Sequence, residues 1–145
     1  MANYYANARS NYFAVKDVNK FKKWADSRHL DVWSEMFPNS ENEEELFAIA
    51  PQDDGDFGGW PYYDIEADEG VEGGNDGQFD ILEELAPHLK DGHVAIIQEV
   101  GNEKLRYLCG YSRAINNKGE EITISLNDIY NEASRLGEHI TTAEY

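Results

Sequence analysis

Apolar residues recur along this chain in two rhythms, and the rhythms divide it into elements. Asn11-Tyr12-Phe13-Ala14-Val15-Lys16 reads as a first strand. Val18, Phe21, Trp24 and Ala25 then follow at helical spacing behind Asp17, a residue suited to capping a helix N-terminus, which predicts a helix over about 18–28. Leu30 to Phe37 alternates in part and predicts a strand. Glu41 to Glu45 reads as a charged turn, and Leu46-Phe47-Ala48-Ile49-Ala50 as a strand stopped by Pro51. Residues 51–78 are rich in Gly and acids and read as one long loop region, with a short extended piece at Trp60–Ile65. A loop of this length inside a compact domain is usually functional. Ile81, Leu82, Leu85 and Leu89 then form the apolar stripe of a helix from Asp80 to Leu89, shortened or kinked by Pro87.

The last third alternates more clearly. His93–Val100, Lys104–Ile115 and Glu121–Ser125 predict three strands, joined by turns at Gly101-Asn102 and Asn116-Asn117-Lys118-Gly119. Ser125-x-x-Asp128 resembles a capping box, and Ile129, Tyr130, Ala133 and Leu136 predict an amphipathic helix ended by Gly137. The elements together predict a single α+β domain over 1–145: an antiparallel sheet, with a meander in the C-terminal third, carrying about three helices.

Composition adds constraints. Aromatics make up 12% of the residues, too many for a disordered acidic tail. A lone Cys109 in an apolar strand-like run excludes an internal disulfide and a Cys-rich zinc site. No apolar run is long enough for a transmembrane helix, and the N-terminus lacks the pattern of a signal peptide, so the chain reads as cytoplasmic.

Charge changes the picture most. Between His29 and Leu89 there is no Lys or Arg, yet 18 of the 29 acids lie there. Outside that block eleven acids face twelve bases, so the net charge of −17 belongs to one contiguous segment. Self-repulsion of this size favours a cationic partner, and it repels nucleic acid and anionic membranes. Solvated surfaces normally intersperse both signs, and this block does not. In duplex DNA the same charge occupies roughly 30 Å, about nine base pairs. That is comparable to the roughly 35–40 Å diameter of a domain of this size. Trp60-Pro61-Tyr62-Tyr63, between the acids, would supply apolar anchors for a protein partner. The basic stretch 16–28 (Lys16, Lys20, Lys22, Lys23, Arg28) could meet another part of the partner or a second copy of the chain.

Other chemistries are weaker. Asp76 to Glu83 matches the second half of an EF-hand calcium loop, but the first half would place Glu72 and Gly74 at ligand positions and has no entering helix. A calcium module over 72–83 is the alternative reading. Gly110-Tyr111-Ser112-Arg113-Ala114 loosely resembles a nucleophile elbow, but a strand and a hairpin turn follow it, and the one later histidine, His139, lies in the tail. The four histidines lack metal-ligand spacing, and no phosphate loop is present. No cofactor, metal or catalytic residue is expected, and the chain reads as non-enzymatic.

The residues Glu41, Glu43, Glu44, Glu45, Asp53, Asp54, Asp56, Asp64, Glu66, Asp68, Glu69, Glu72 and Asp76 carry a resemblance. In size and charge profile the chain is similar to the small acidic proteins of phages and mobile elements that inhibit host defence by mimicking DNA, of the anti-restriction and anti-CRISPR type. The stretch Glu103 to Ala133 also resembles proteins of such elements. The resemblance implies occlusion: these acids, with Trp60, Tyr62 and Tyr63, would fill the basic channel of a nucleic-acid-binding protein such as a CRISPR effector or restriction enzyme.

Overall fold

The computed structural model describes residues 4–38, 43–52, 59–61, 79–103 and 107–141. Within them the chain is a mixed α/β fold with antiparallel sheets and three helices, strand-rich rather than helix-rich. Strands β4 (Val94–Glu103), β5 (Tyr107–Asn116) and β6 (Glu121–Ser125) are consecutive antiparallel neighbours. The N-terminal β1 (Tyr4–Ser10) completes that sheet along β4, in the order β1-β4-β5-β6. The sheet is therefore not built from the C-terminal third alone. A second, two-stranded sheet pairs β2 (Leu30–Pro38) with β3 (Glu43–Pro51).

The core lies between these sheets and two helical segments. Helix α1 (Val18–Ser27) is capped by Asp17, whose carboxylate accepts from the Lys20 N–H at 3.1 Å, and it buries Phe21 and Ala25. Helix α2 (Ile81–Leu85) buries Ile81, Leu82 and Leu85, then tightens into a 3₁₀ turn, Ala86–His88, as Pro87 requires. Phe13, Phe21, Phe47, Ile49, Leu82, Leu89, Ile97 and Ile115 complete a continuous cluster. The Phe21 ring sits 5.8 Å edge-on from Phe13 and 5.6 Å from Phe47.

Several boundaries differ from the pattern. Residues 11–16 are not the first strand. Phe13, Ala14 and Val15 are buried in succession, without the alternation of a half-buried strand, and they cross the core through single bridges to Phe47 and Leu89. Glu43–Glu45 belong to β3 rather than to a turn, because the ladder to Pro38, Phe37 and Met36 continues through them. Gly101 and Asn102 likewise stay in strand, paired on both sides, and β4 runs on to Glu103. The Asn116 turn forms as read: its Oδ1 accepts from the N–H groups of Lys118 and Glu120, and Gly119 adopts a left-handed φ of 85° that favours glycine. Helix α3 (Asp128–Ala133) starts later than the capping box reads, with Asn127 at its N-cap and no side-chain cap bond; the one matching contact is the Ser125 N–H donating to Asp128 at 2.7 Å. Its apolar stripe does not pack on the sheet: no residue of α3 is buried, and Leu136 beyond it is 92% exposed. The side of the sheet that faces the core is already occupied by α2 and Trp60.

Candidate interaction surface

Eight of the 18 block acids fall within the described residues: Asp31, Glu35, Glu43, Glu44, Glu45, Asp80, Glu83 and Glu84. Of the residues expected to bind a partner, Glu41, Asp53, Asp54, Asp56, Tyr62, Tyr63, Asp64, Glu66, Asp68, Glu69, Glu72 and Asp76 lie outside them. The eight do two different jobs, set by the element each occupies.

Three are tied to cationic groups. Glu84, on α2, receives Arg28 Nε and Nη2 at 2.8 Å each and the Trp24 indole N–H at 2.9 Å. The Arg28 guanidinium also stacks 3.9 Å from the Phe79 ring centroid. These contacts clamp α1 to α2. Asp80 caps α2 through the N–H groups of Leu82 and Glu83, and its other oxygen receives Arg113 Nη2 at 2.7 Å. Arg113 Nε meets Glu121 at 2.6 Å, so one guanidinium joins α2, β5 and β6. Burial pushes the Asp80 carboxyl up, but Arg113 and the two cap N–H groups outweigh it and hold it below the ordinary value. Burial works against the Arg113 charge, and its two carboxylate partners more than offset that, raising it further. Glu44 lies near Lys90 Nζ (3.9 Å) and His93 Nε2 (3.7 Å). His93 Nδ1 accepts the Ala14 N–H, which leaves the ring proton on Nε2, toward Glu44.

Of the others, Asp31, Glu35, Glu43 and Glu45 are exposed on the β2–β3 hairpin, and Glu83 is exposed on α2. Glu43 and Glu45 project from one side of the hairpin, level with Pro38 and Met36; Glu35 and Glu44 project from the other. The described acids therefore do not share one face. What Glu35, Glu43 and Glu45 share is the distal end of the hairpin, beside exposed Met36.

Trp60 is not a surface anchor. It is 8% exposed and sits in the core cluster, with its backbone N–H on Glu99 Oε1 at 2.8 Å and its indole N–H on the Gln98 carbonyl at 3.2 Å. A side chain at Gly59 would meet that same Glu99 carboxylate at 2.8 Å, so glycine allows the close approach. Tyr111 leans on Glu99 as well (3.4 Å), and burial followed by the Glu99 charge pushes its hydroxyl up to about 12. The bonded surroundings of Asp80 also remove a ligand from the EF-like stretch, since both its oxygens are engaged. Ser112 sits in mid-strand, its Oγ receiving the Gln98 amide at 2.7 Å, with no elbow around it.

The sequence reading missed the Arg113 network and the Trp60 anchor. Asp80 carried a visible cap signal, but its partner lies 33 residues away on another strand. No helix among the described residues is long and apolar enough to cross a membrane. Comparison with protein-family models, curated proteins and solved structures yields no match.

Proposed function

We propose that this chain is a non-enzymatic inhibitor that presents a DNA-like acidic surface to a basic nucleic-acid-binding protein of host defence, of the CRISPR-effector or restriction-enzyme kind, and so blocks that protein's nucleic-acid site. The observation that carries the reading is the placement of charge: 18 acids and no Lys or Arg between His29 and Leu89, with Glu35, Glu43 and Glu45 exposed at the hairpin end. Among the described acids of the block, those tied into the fold are Asp80, Glu84 and Glu44. The working surface is then the distal hairpin together with the acids of 53–76, and Trp60 contributes by anchoring that segment rather than by touching the partner. Such an association is steered by charge and weakens steeply with salt.

The test is a pull-down from host lysate with the wild-type chain and with the acids of 41–45 and 64–72 changed to their amides. The expected prey is a basic nucleic-acid-binding protein that is lost with the amide variant, lost in high salt and displaced by duplex DNA. Prey retained equally by the amide variant would overturn the reading.

A further inference from the structure

We propose that the outer face of the four-stranded sheet is a homodimer interface, on which two copies of this chain pack face to face as a β-sandwich. This goes beyond the acidic-surface reading and does not depend on it. Side chains alternate along the strands, and the register sorts them. Ala95, Ile97, Glu99, Tyr111, Arg113, Ile115, Glu121 and Ser10 face the core side. The opposite side carries Val94, Val100, Leu108, Ile122, Ile124 and Leu126, each 44–69% exposed. Between them lie Ile96, Gln98, Gly110, Ser112 and Ala114.

Three observations point to a second copy as the occupant. The first is charge: in a chain with 29 acids, the outward positions of β1, β4, β5 and β6 whose side chains are described hold none. Their one charge, Arg9, is drawn to the rim, its guanidinium 5.1 Å from the Trp33 ring and 5.7 Å from that of Tyr12. A chain of −17 can meet itself here without bringing carboxylates of this face together.

The second is area. The six aliphatic side chains expose on the order of 600 Å², the upper end of what a monomer leaves uncovered. Gln98 and Ser112 between them extend the face toward the roughly 800 Å² that each partner of a standard interface buries.

The third is shape. The Leu126 side chain lies over Gly110, where an added Cβ would come within 2.8 Å of it. Beside it runs a shallow groove of about 570 Å³, floored by Gly110 and Ser112 and edged by Val100, Ile124 and Leu126. A ridge next to a groove on one face is what a self-complementary two-fold contact uses.

The experiment is sedimentation velocity and light scattering on the full chain across micromolar concentrations, in low and high salt. The expected particle has twice the 16.5 kDa mass of one chain. Salt should strengthen it, because screening relieves the repulsion between the two acidic blocks. Ile124→Glu should raise the dissociation constant about thirtyfold, as loss of an interface hot spot does. The pair Ile122→Glu with Ile124→Glu should leave a monomer whose circular dichroism matches the wild type. Hydrogen exchange on the unmutated chain gives a second reading, with protection of 108–114 and 122–126 rising with concentration. A wild type that stays at one chain mass, a dimer untouched by the double substitution, or a dimer dissolved by salt would each overturn the proposal. The salt response separates it from the partner reading, where binding weakens as salt rises.

Discussion

The two-stranded hairpin and the four-stranded sheet treat charge in opposite ways. The hairpin displays carboxylates on both sides of its distal end, and among the described residues the basic side chains Lys90 and His93 lie against Glu44. The sheet keeps its described acids on the core side and binds them: Glu121 to Arg113, Glu99 to Trp60 and Tyr111. Its outer side has none at the described positions. The difference teaches that net charge is a poor guide to role. Within one acidic block, Asp80 and Glu84 hold helices in place, while Glu35, Glu43 and Glu45 are exposed to solvent, Glu45 accepting the Ser34 hydroxyl at 3.1 Å.

The largest effect that would break this comparison is at Trp60. As a core residue, Trp60→Ala should cost about 3 kcal/mol in denaturant unfolding. A surface anchor would leave the midpoint unchanged. Next comes the guanidinium that joins three elements: Arg113→Ala should cost about 2 kcal/mol by stranding Asp80 and Glu121 in half-buried positions. Paired amides at Glu43 and Glu45 should move stability by less than about 0.5 kcal/mol, and upward in low salt.

Titration sharpens the same contrast. Burial, with Lys20 nearby, holds His88 below its ordinary value of 6.5, against the opposing pull of Asp17 and Glu84. The folded state thus binds that proton less readily than the unfolded chain. The stability His88 supports is present above pH 6.5 and is lost as pH falls below it. Asp80 follows the same sign further down, from its ordinary 3.8. Tyr111 has the opposite sign: its contribution is complete below pH 10 and is lost as pH rises toward about 12. Unfolding midpoints measured from pH 3 to 11 should fall at both ends, and Tyr111→Phe should flatten the alkaline limb.

Gly110 lies between the Arg113 and hairpin effects in size. Gly110→Ala should cost about 1 kcal/mol through its clash with Leu126, and Leu126→Ala in the same chain should remove most of that penalty.

Much of the architecture was legible locally. Asp17 and Asp80 are caps in the sequence and in the fold, and the helices they start bury the stripes that the spacing marked. The Asn116–Gly119 turn and strands β2 and β6 follow from turn chemistry and alternation. The misreadings share a cause. Gly101 and Asn102 carry turn composition, yet they lie in a strand paired on both sides, where neighbouring ladders outweigh their local preference. Glu43–Glu45 look like a turn only until β2 is seen to run beside them. Ile129 and Leu136 have helical spacing but no partner surface.

What the sequence determined by itself is helices α1 and α2 with their caps, the turn at 116–119 and the confinement of negative charge to one segment, because each depends on residues close together along the chain. Which carboxylates are bound inward and which face solvent, that Trp60 is core, and that one side of the sheet is left apolar and free of acids were decided only by tertiary structure. Those properties depend on register and on partners such as Arg113 and Asp80, which only folding brings together.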